Sequence, residues 1–165
     1  MSMTTHRERK AHIPKTLIIG VDPGASGAVA WYSNGVHHAA PFKDLTENEM
    51  LELFEGMGSH CFAYLESVHA MPGQGVSSTF KFGMNYGGIR MALIAASIGF
   101  ETVTPAKWQR EMSCLSKGDK KVTRARAQEM FPEVSVTGRG IKAPTHAVAD
   151  ALLIAEYGRR THAAR

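Results

Sequence analysis

The chain has 165 residues, of which 44% are hydrophobic and 21% are charged, a balance that is typical of a globular protein and excludes general disorder. No apolar run approaches the roughly 20 residues of a membrane-spanning helix. The polar start, MSMTTHRERKAHIPK, lacks the apolar region of a secretory signal, so we expect a cytoplasmic protein. The two cysteines, Cys61 and Cys114, form no CxxC pair, which argues against a zinc site.

The first elements are indicated by β-branched runs and turn residues. Residues 1–15 are polar and basic, and we interpret them as a flexible arm before one domain over residues 16–160. TLIIGVD at 16–22 stops at PGASG, which predicts a buried central strand and a turn. AVAWYS and VHHAAPF flank Asn34 and Gly35, the strongest short hairpin signal. We therefore expect three antiparallel strands.

Helix and strand patterns alternate in the middle of the chain. TENEMLELFEGMG at 46–58 has a Thr cap and helical apolar spacing, which predicts an amphipathic helix. CFAYLESV at 61–68 predicts a fourth strand, parallel to the first. In VSSTFKFGMNYGGIRMALIAASIG we expect the second half to be helical, with a bend or a close helix approach at Gly87 and Gly88.

The remaining segments predict one more strand and three helices. The strand is FETVTP, and the helices are PAKWQREM, DKKVTRARAQEMF with Asp119 as its cap, and THAVADALLIAEYG with Thr145 as its cap and its end near Gly158. The element order predicts an α/β fold with a five-stranded mixed sheet flanked by helices.

Two acids end neighbouring predicted strands. Asp22 closes the first strand and Glu66 lies near the end of the fourth, so both carboxylates are expected at the sheet edge where open α/β proteins bind ligands. A buried acid is costly unless it is paired or holds a cation, although each could instead cap a loop amide. His146 and Asp150, four residues apart, share a face of the last helix, which we expect to lie over this edge. The alternative is a half-exposed histidine and a solvated aspartate.

This mostly oxygen donor set suits Mg²⁺ or Mn²⁺ better than zinc. Two such ions about 3.5 to 4 Å apart can activate a water and stabilise the leaving oxygen in phosphodiester hydrolysis. Residues 105–126 hold seven Lys or Arg against two acids, a cluster that is typical of a polyanion-binding surface. A solvated helix face is the alternative interpretation of that cluster.

Three blocks in this order, LIIGVDPGASGAVAW, AYLESVHAMPGQGVSSTFKFG and HAVADALLIAEYG, resemble the RuvC-type Holliday junction resolvases of the RNase H-like superfamily, most of all their small bacteriophage-borne branch. The resemblance covers residues 16–160 and implies an RNase H-like fold. It also implies a homodimeric endodeoxyribonuclease that nicks two opposed strands of a four-way DNA junction with divalent metal, in the host cytoplasm if phage-encoded. The catalytic and metal-binding acids would be Asp22, Glu66 and Asp150, with His146 as a ligand or a proton shuttle.

The chain departs from the family pattern at two places. Ala147 stands where relatives often carry another carboxylate, and His69 stands where the family tends to place an aromatic that stacks at the junction. Phe80 or Phe82 is then the candidate for stacking, unless both are core or dimer contacts. The segment from Phe80 to Ser97 is the candidate dimer interface, or else ordinary core.

The resemblance also implies DNA contacts in the basic segment. Lys107 and Lys120 correspond to family lysines that hold the scissile phosphate. General backbone contacts are expected from Lys117, Lys121, Arg124 and Arg126. Trp108 is expected in the core rather than as a stacking platform.

Other functions stay open on the sequence alone. A hybrid-cutting ribonuclease or a flap and branch nuclease would want a carboxylate from the first helix, where Glu52 or Glu55 is available. A junction binder without activity is consistent with the missing fourth acid. DPGASG also resembles the phosphate loop of actin-like sugar kinases, but those need two such domains, and 165 residues supply one.

Overall fold

The structure, a computed structural model, describes residues 16–24, 26–43, 45–69, 73, 75–136 and 145–164. The predicted arm over 1–15 lies outside the described residues. The elements in chain order are β1 (Leu17–Asp22), β2 (Ala28–Ser33), β3 (Val36–Pro41), α1 (Glu47–Met57), β4 (Cys61–Glu66), α2 (Val76–Ala95), β5 (Gly99–Val103), α3 (Pro105–Glu111), α4 (Lys120–Met130), β6 (Val134–Val136) and α5 (His146–Ala163). None of the helices among the described residues has the length and apolar character needed to cross a membrane.

The strands form one mixed sheet in the order β5-β4-β1-β2-β3-β6. β1, β2 and β3 are antiparallel neighbours, while β4 and β5 continue in parallel from β1. The prediction of a five-stranded mixed sheet flanked by helices is therefore confirmed for β1 to β5. The prediction missed β6, which pairs in parallel with β3, because a strand of three residues is too short to show an alternating pattern.

The structure agrees with the local sequence signals at the hairpin and at the start of the first helix. Asn34 and Gly35 have φ angles of 51° and 82°, the left-handed values that a two-residue hairpin turn requires. Thr46 caps α1 reciprocally with Glu49: the Glu49 amide donates to the Thr46 hydroxyl at 3.2 Å, and the Thr46 amide donates to the Glu49 carboxylate at 2.8 Å. The predicted hairpin and helix start are confirmed.

Hydrophobic layers cover both faces of the sheet. α5, with α3 and α4, buries Trp108, Val148 and Leu153 on one face. On the other face, α1 and α2 bury Phe54 and Ile89. Cys61 and Cys114 are both buried as free thiols, one in each layer. The two layers fix the sheet, so the residues at its edges have a rigid support.

Two helices are longer than predicted. α2 is helical over Val76–Ala95 rather than over its second half only. The expected close helix approach does not occur at the glycine pair: a Cβ on Gly88 would make an ordinary 3.9 Å contact with Met50 of α1, and a Cβ on Gly87 would have no neighbour within 4 Å in the described structure. α5 continues past Gly158 to Ala163. Gly158 is a packing position inside the helix, since a Cβ there would overlap the ring of Tyr64.

Candidate functional site

Three acids line one cavity at the edge of the sheet. β1 and β4 run in parallel with Val21 opposite Leu65, so the next residues, Asp22 and Glu66, end neighbouring strands at the same edge. Asp150, in the second turn of α5, reaches the same cavity, whose volume is about 440 Å³. The sheet register supplies two carboxylates and the last helix supplies the third.

The position of α5 over this edge depends on a close backbone contact with β1. A Cβ on Gly20 would overlap the carbonyl oxygen of Ala151 and the amide nitrogen of Ala155, so only glycine lets the helix lie this close. The helix begins just before the site, where the Thr145 hydroxyl accepts from the Val148 amide at 3.3 Å. Sequence reasoning missed the role of Gly20, for which a glycine inside a strand is the only sequence signal.

Burial raises the pKa values of all three carboxylates, and repulsion from a neighbouring acid adds to this at Asp22 and Glu66. The pKa of Asp22 is well above its usual value because the group is buried, with Glu66 and then Asp150 adding negative charge beside it. Burial raises the pKa of Glu66 to about 7, and burial also raises that of Asp150. Lys120 lowers the pKa of all three acids without cancelling the effect of burial. Burial therefore outweighs the charge of the nearby lysine, and the protonated forms of the three acids are favoured over what their usual pKa values would give.

Trp108 confirms the prediction of a core residue and adds a contact that the sequence did not reveal. The side chain is 0% exposed, and its indole Nε1 donates a hydrogen bond to Glu66 Oε1 at 2.8 Å. The bond joins residues 42 positions apart, so no local pattern could indicate it. It fixes one oxygen of an acid that lines the cavity.

His146 lies beside the cavity rather than in its wall. The charge of this histidine lowers the pKa of Asp150, so the two groups interact, but His146 is not among the lining residues. Its Nδ1 is buried and has no hydrogen-bond partner among the described residues. Ala147, at the place of the family's additional carboxylate, is buried in the core. The structure thus brings together three of the four predicted ligands and leaves the histidine adjacent.

The predicted DNA-contacting cations differ in their positions. Lys117 and Lys120 line the cavity, while Lys107 and Lys121 are exposed outside it. Arg124 is half-buried on α4. Two lysines are therefore within the acidic site.

Arg126 is engaged within the protein. Its Nε donates to the Met112 carbonyl at 2.8 Å, and its Nη1 pairs with Glu129 at 2.8 Å. These contacts tie α4 to the end of α3, and we leave Arg126 out of the proposed DNA contacts.

The candidate stacking residues lie on different faces of α2. Phe80 is 68% exposed on the outer side of the helix. Phe82 is half-buried, stacks on Tyr86, and lies about 3.6 Å from where a Cβ of Gly24 would be, in the turn after Asp22. His69 is exposed beyond the end of β4. Phe82 is therefore next to the turn that follows Asp22.

The donor chemistry of the cavity fits a hard divalent cation. Asp150 Oδ1 is buried without a hydrogen-bond partner in the described parts of the chain, and the other acids carry repelling charge. Carboxylate oxygens are the ligands that Mg²⁺ and Mn²⁺ prefer. As the side chains stand, however, no group of three His, Cys, Asp or Glu within the described residues is close enough together to hold an ion. A cation would therefore have to draw the carboxylates inward.

No protein-family model and no curated protein matches this chain. Solved structures do: Thermus thermophilus RuvC in complex with a Holliday junction substrate has a TM-score of 0.57 at 14% identity, over 88% of this chain and 96% of RuvC. A second Thermus thermophilus RuvC structure has a TM-score of 0.52 at 14% identity over the same shares. The yeast mitochondrial Holliday junction resolvase Ydc2 has a TM-score of 0.50 at 12% identity, over 91% of this chain and 80% of Ydc2. At these identities the likeness shows the fold, which is RuvC-like and RNase H-like.

Proposed function

We propose that this protein is a metal-dependent endonuclease that resolves four-way DNA junctions by paired, symmetric nicks. The observation that carries the proposal is the single cavity that Asp22, Glu66 and Asp150 line, with Lys120 also in its wall. The fold adds support, since one similar structure is described as RuvC with a Holliday junction substrate and another as a Holliday junction resolvase. Membership of the bacteriophage-type branch is proposed from the three sequence blocks alone.

Each residue of the site has a proposed role. Asp22, Glu66 and Asp150 would hold Mg²⁺ or Mn²⁺, with two ions per site, and bound metal would supply an activated water and stabilise the leaving oxygen. Lys117 and Lys120 neutralise and orient the phosphate in the cavity that they line.

The neighbouring residues have supporting roles in the proposal. His146, whose Nδ1 has no hydrogen-bond partner within the described part of the chain, serves as an additional ligand or as a proton carrier. Outside the cavity, four exposed or half-buried residues hold the DNA backbone: Lys107, Lys121, Arg124 and His69.

A second copy of the chain is the proposed partner at α2. The helix carries an exposed apolar stripe at alternating spacings of four and three residues: Phe80, Met84, Gly87, Met91 and Ile94. This is the spacing of a helix that pairs with another helix. A two-fold dimer would present two equivalent sites to a junction with two equivalent cleavage points. Phe80 then has a role in the interface rather than in stacking.

Two other functions differ in how well the geometry supports them. A hybrid-cutting ribonuclease would use a carboxylate of α1, but Glu52 and Glu55 are exposed and neither lines the cavity. A junction binder without activity is the stronger competitor. It is favoured by Ala147 in place of a fourth acid and by the spread of the three acids within the described structure.

Cleavage of defined substrates tests the proposal. The parent protein is incubated with an end-labelled four-way junction, a linear duplex and an RNA:DNA hybrid, each in Mg²⁺, Mn²⁺ or EDTA. We expect paired nicks at symmetric positions of the junction, only with metal, and none from Asp22→Asn. Glu133→Gln, a change at an exposed acid outside the cavity, should cut like the parent.

The other outcomes assign the competing functions. Tight junction binding in EDTA without nicking in either metal would identify a binder. Preferential cutting of the hybrid would identify a ribonuclease. Equal cutting by Asp22→Asn and the parent would remove the acidic cavity from the mechanism.

A further inference from the structure

We propose that Trp108 is a positioning residue that orients the carboxylate of Glu66 for cation binding. This inference rests on the proposed function, and it assigns a role to a fully buried side chain that does not itself line the cavity. The observation is the hydrogen bond from the indole Nε1 to Glu66 Oε1 at 2.8 Å.

The bond is fixed from the tryptophan side. Trp108 is 0% exposed, and a buried indole N–H must find an acceptor because water cannot replace it. The ring packs in the same core layer as Val103 and Met112. The N–H can therefore neither turn away nor be solvated, and Glu66 is the acceptor that it has.

The bond matters most for Glu66 among the three acids. All three acids stand on a strand or a helix, but the side chains of Asp22 and Asp150 are shorter than that of Glu66. Glu66 has one more rotatable bond, so its carboxylate would sample more positions at the cavity edge. The hydrogen bond from Trp108 to Glu66 Oε1 limits that motion, and it does not involve Glu66 Oε2. Buried partners of this kind typically orient metal ligands.

The backbone of β5 and α3 positions the Trp108 ring beside Glu66. Glu66 lies opposite Val103 in the parallel pairing of β4 with β5, and the Ser67 amide donates to the Val103 carbonyl at 2.7 Å. α3 begins at Pro105, directly after β5, and its first full turn places Trp108 back over the end of β4. Trp108, which orients Glu66, therefore lies on a helix rather than on a loop.

Nuclear magnetic resonance gives a readout that is independent of cleavage. The chain has two tryptophans, so Trp31→Phe leaves Trp108 as the only indole signal. We expect this N–H resonance to shift when Mg²⁺ is added, and to shift again when Glu66→Gln is combined with Trp31→Phe. An indole signal that responds to neither change would overturn the inference. Trp108 itself is not substituted in this measurement, so the result does not depend on whether a Trp108 variant folds.

A double-mutant cycle separates positioning from general packing. Trp108→Phe keeps a buried ring and removes the N–H, and we expect Mn²⁺ affinity to fall about tenfold or more. The turnover rate on the junction should fall while the KM for DNA stays constant. In a Glu66→Gln background, Trp108→Phe should cause no further loss of Mn²⁺ affinity, because the acid through which it acts has gone. Trp31→Phe is the matched control and should leave Mn²⁺ affinity unchanged.

The outcomes distinguish this inference from the proposed function. If the parent binds Mn²⁺ and nicks junctions while folded Trp108→Phe does both equally well, the positioning role is wrong and the nuclease stands. If Trp108→Phe causes the same loss in the parent and in the Glu66→Gln background, Trp108 acts through packing and the inference again fails. If the parent neither binds Mn²⁺ nor nicks, the proposed function fails and the inference falls with it.

Discussion

The backbone of β1 at Gly20 lies against the backbone of α5 at Ala151, with no room for a side chain between them. Asp22 follows this contact by two residues and Asp150 precedes it by one. The contact therefore sets how far apart the strand acid and the helix acid lie. The geometry of the site depends on a glycine that carries no chemistry of its own.

Gly20→Ala should weaken both the fold and the site. The new Cβ would push α5 away from β1, and overpacking of this kind costs about 1 to 3 kcal/mol. We expect an earlier unfolding midpoint in urea and slower junction cleavage. Gly56→Ala, in open space on α1, is the control and should raise the stability by up to about 1 kcal/mol. An unchanged midpoint for Gly20→Ala would show that the helix does not need this close contact.

Without divalent cations, the Glu66 carboxyl should make stability fall as pH rises. Its pKa is about 7 in the folded protein against an ordinary value of 4.5, so the folded state binds its proton more tightly. The resulting stabilisation is complete below about pH 4.5 and is lost as pH rises through 7. From pH 5 to pH 8 we expect a loss of about 1 to 3 kcal/mol in the free energy of unfolding in EDTA. Burial raises the pKa values of Asp22 and Asp150 as well, which acts in the same direction.

Glu66→Gln is the reference for that measurement. Burial lowers the pKa of His37, which acts on stability in the opposite direction. The difference between the parent and Glu66→Gln removes this contribution. Adding Mg²⁺ should flatten the parent's pH dependence because bound metal stabilises the ionised carboxylates. A parent that gains stability relative to Glu66→Gln as pH rises would contradict the raised pKa.

The two neighbouring lysines at the start of α4 should differ in importance. Lys120 lines the cavity and lowers the pKa of each acid in it, whereas Lys121 is exposed outside it. Lys120→Gln should slow cleavage at saturating DNA on the order of 10- to 100-fold, because a cation beside the reacting phosphate is lost. Lys121→Gln should alter the DNA affinity more than the rate. Equal cleavage rates for the two variants would count against the phosphate-holding role of Lys120.

A charge on the outer stripe of α2 should prevent dimer formation. Met84 is 56% exposed in the chain and lies in the stripe with Phe80 and Met91, so Met84→Glu would bury a charge in the proposed interface. We expect sedimentation velocity to show a dimer for the parent and a monomer for Met84→Glu. Ser78→Glu adds a charge at an exposed position on the opposite side of the same helix and should stay dimeric. A dimeric Met84→Glu variant would place the interface elsewhere. A monomeric parent would show that the proposed dimer does not form.

Elements with strong local signals were predictable from the sequence. Some signals act over only a few residues, so the sequence pattern alone indicates them. They are the Asn34-Gly35 turn, the helix caps at Thr46 and Asp119, and the β-branched run of β1. The position of Asp22 and Glu66 at one edge also followed, because parallel neighbouring strands end together. These features determine most of the sheet and two of the three cavity acids.

Features that depend on tertiary contact were not predictable in the same way. Trp108 reaches Glu66 across 42 positions, and Gly158 is a packing position in a helix because the Tyr64 ring occupies the space that a side chain would need. The cation of Arg126 looks like a DNA contact in the sequence, yet it binds the Met112 carbonyl and Glu129. Each case needs two distant segments to be placed before the role of the residue can be seen.

Calorimetric titration of the metal-free protein with Mn²⁺ tests the central claim most directly, since it asks whether the acidic cavity binds a divalent cation. At pH 6.5 we expect saturable binding with release of protons, because carboxyls whose pKa values are raised must ionise to become ligands. Asp150→Asn should weaken this binding at least tenfold, and Glu133→Gln should not. Absence of binding at millimolar Mn²⁺, or equal affinity in the parent and Asp150→Asn, would contradict a metal site formed by these acids.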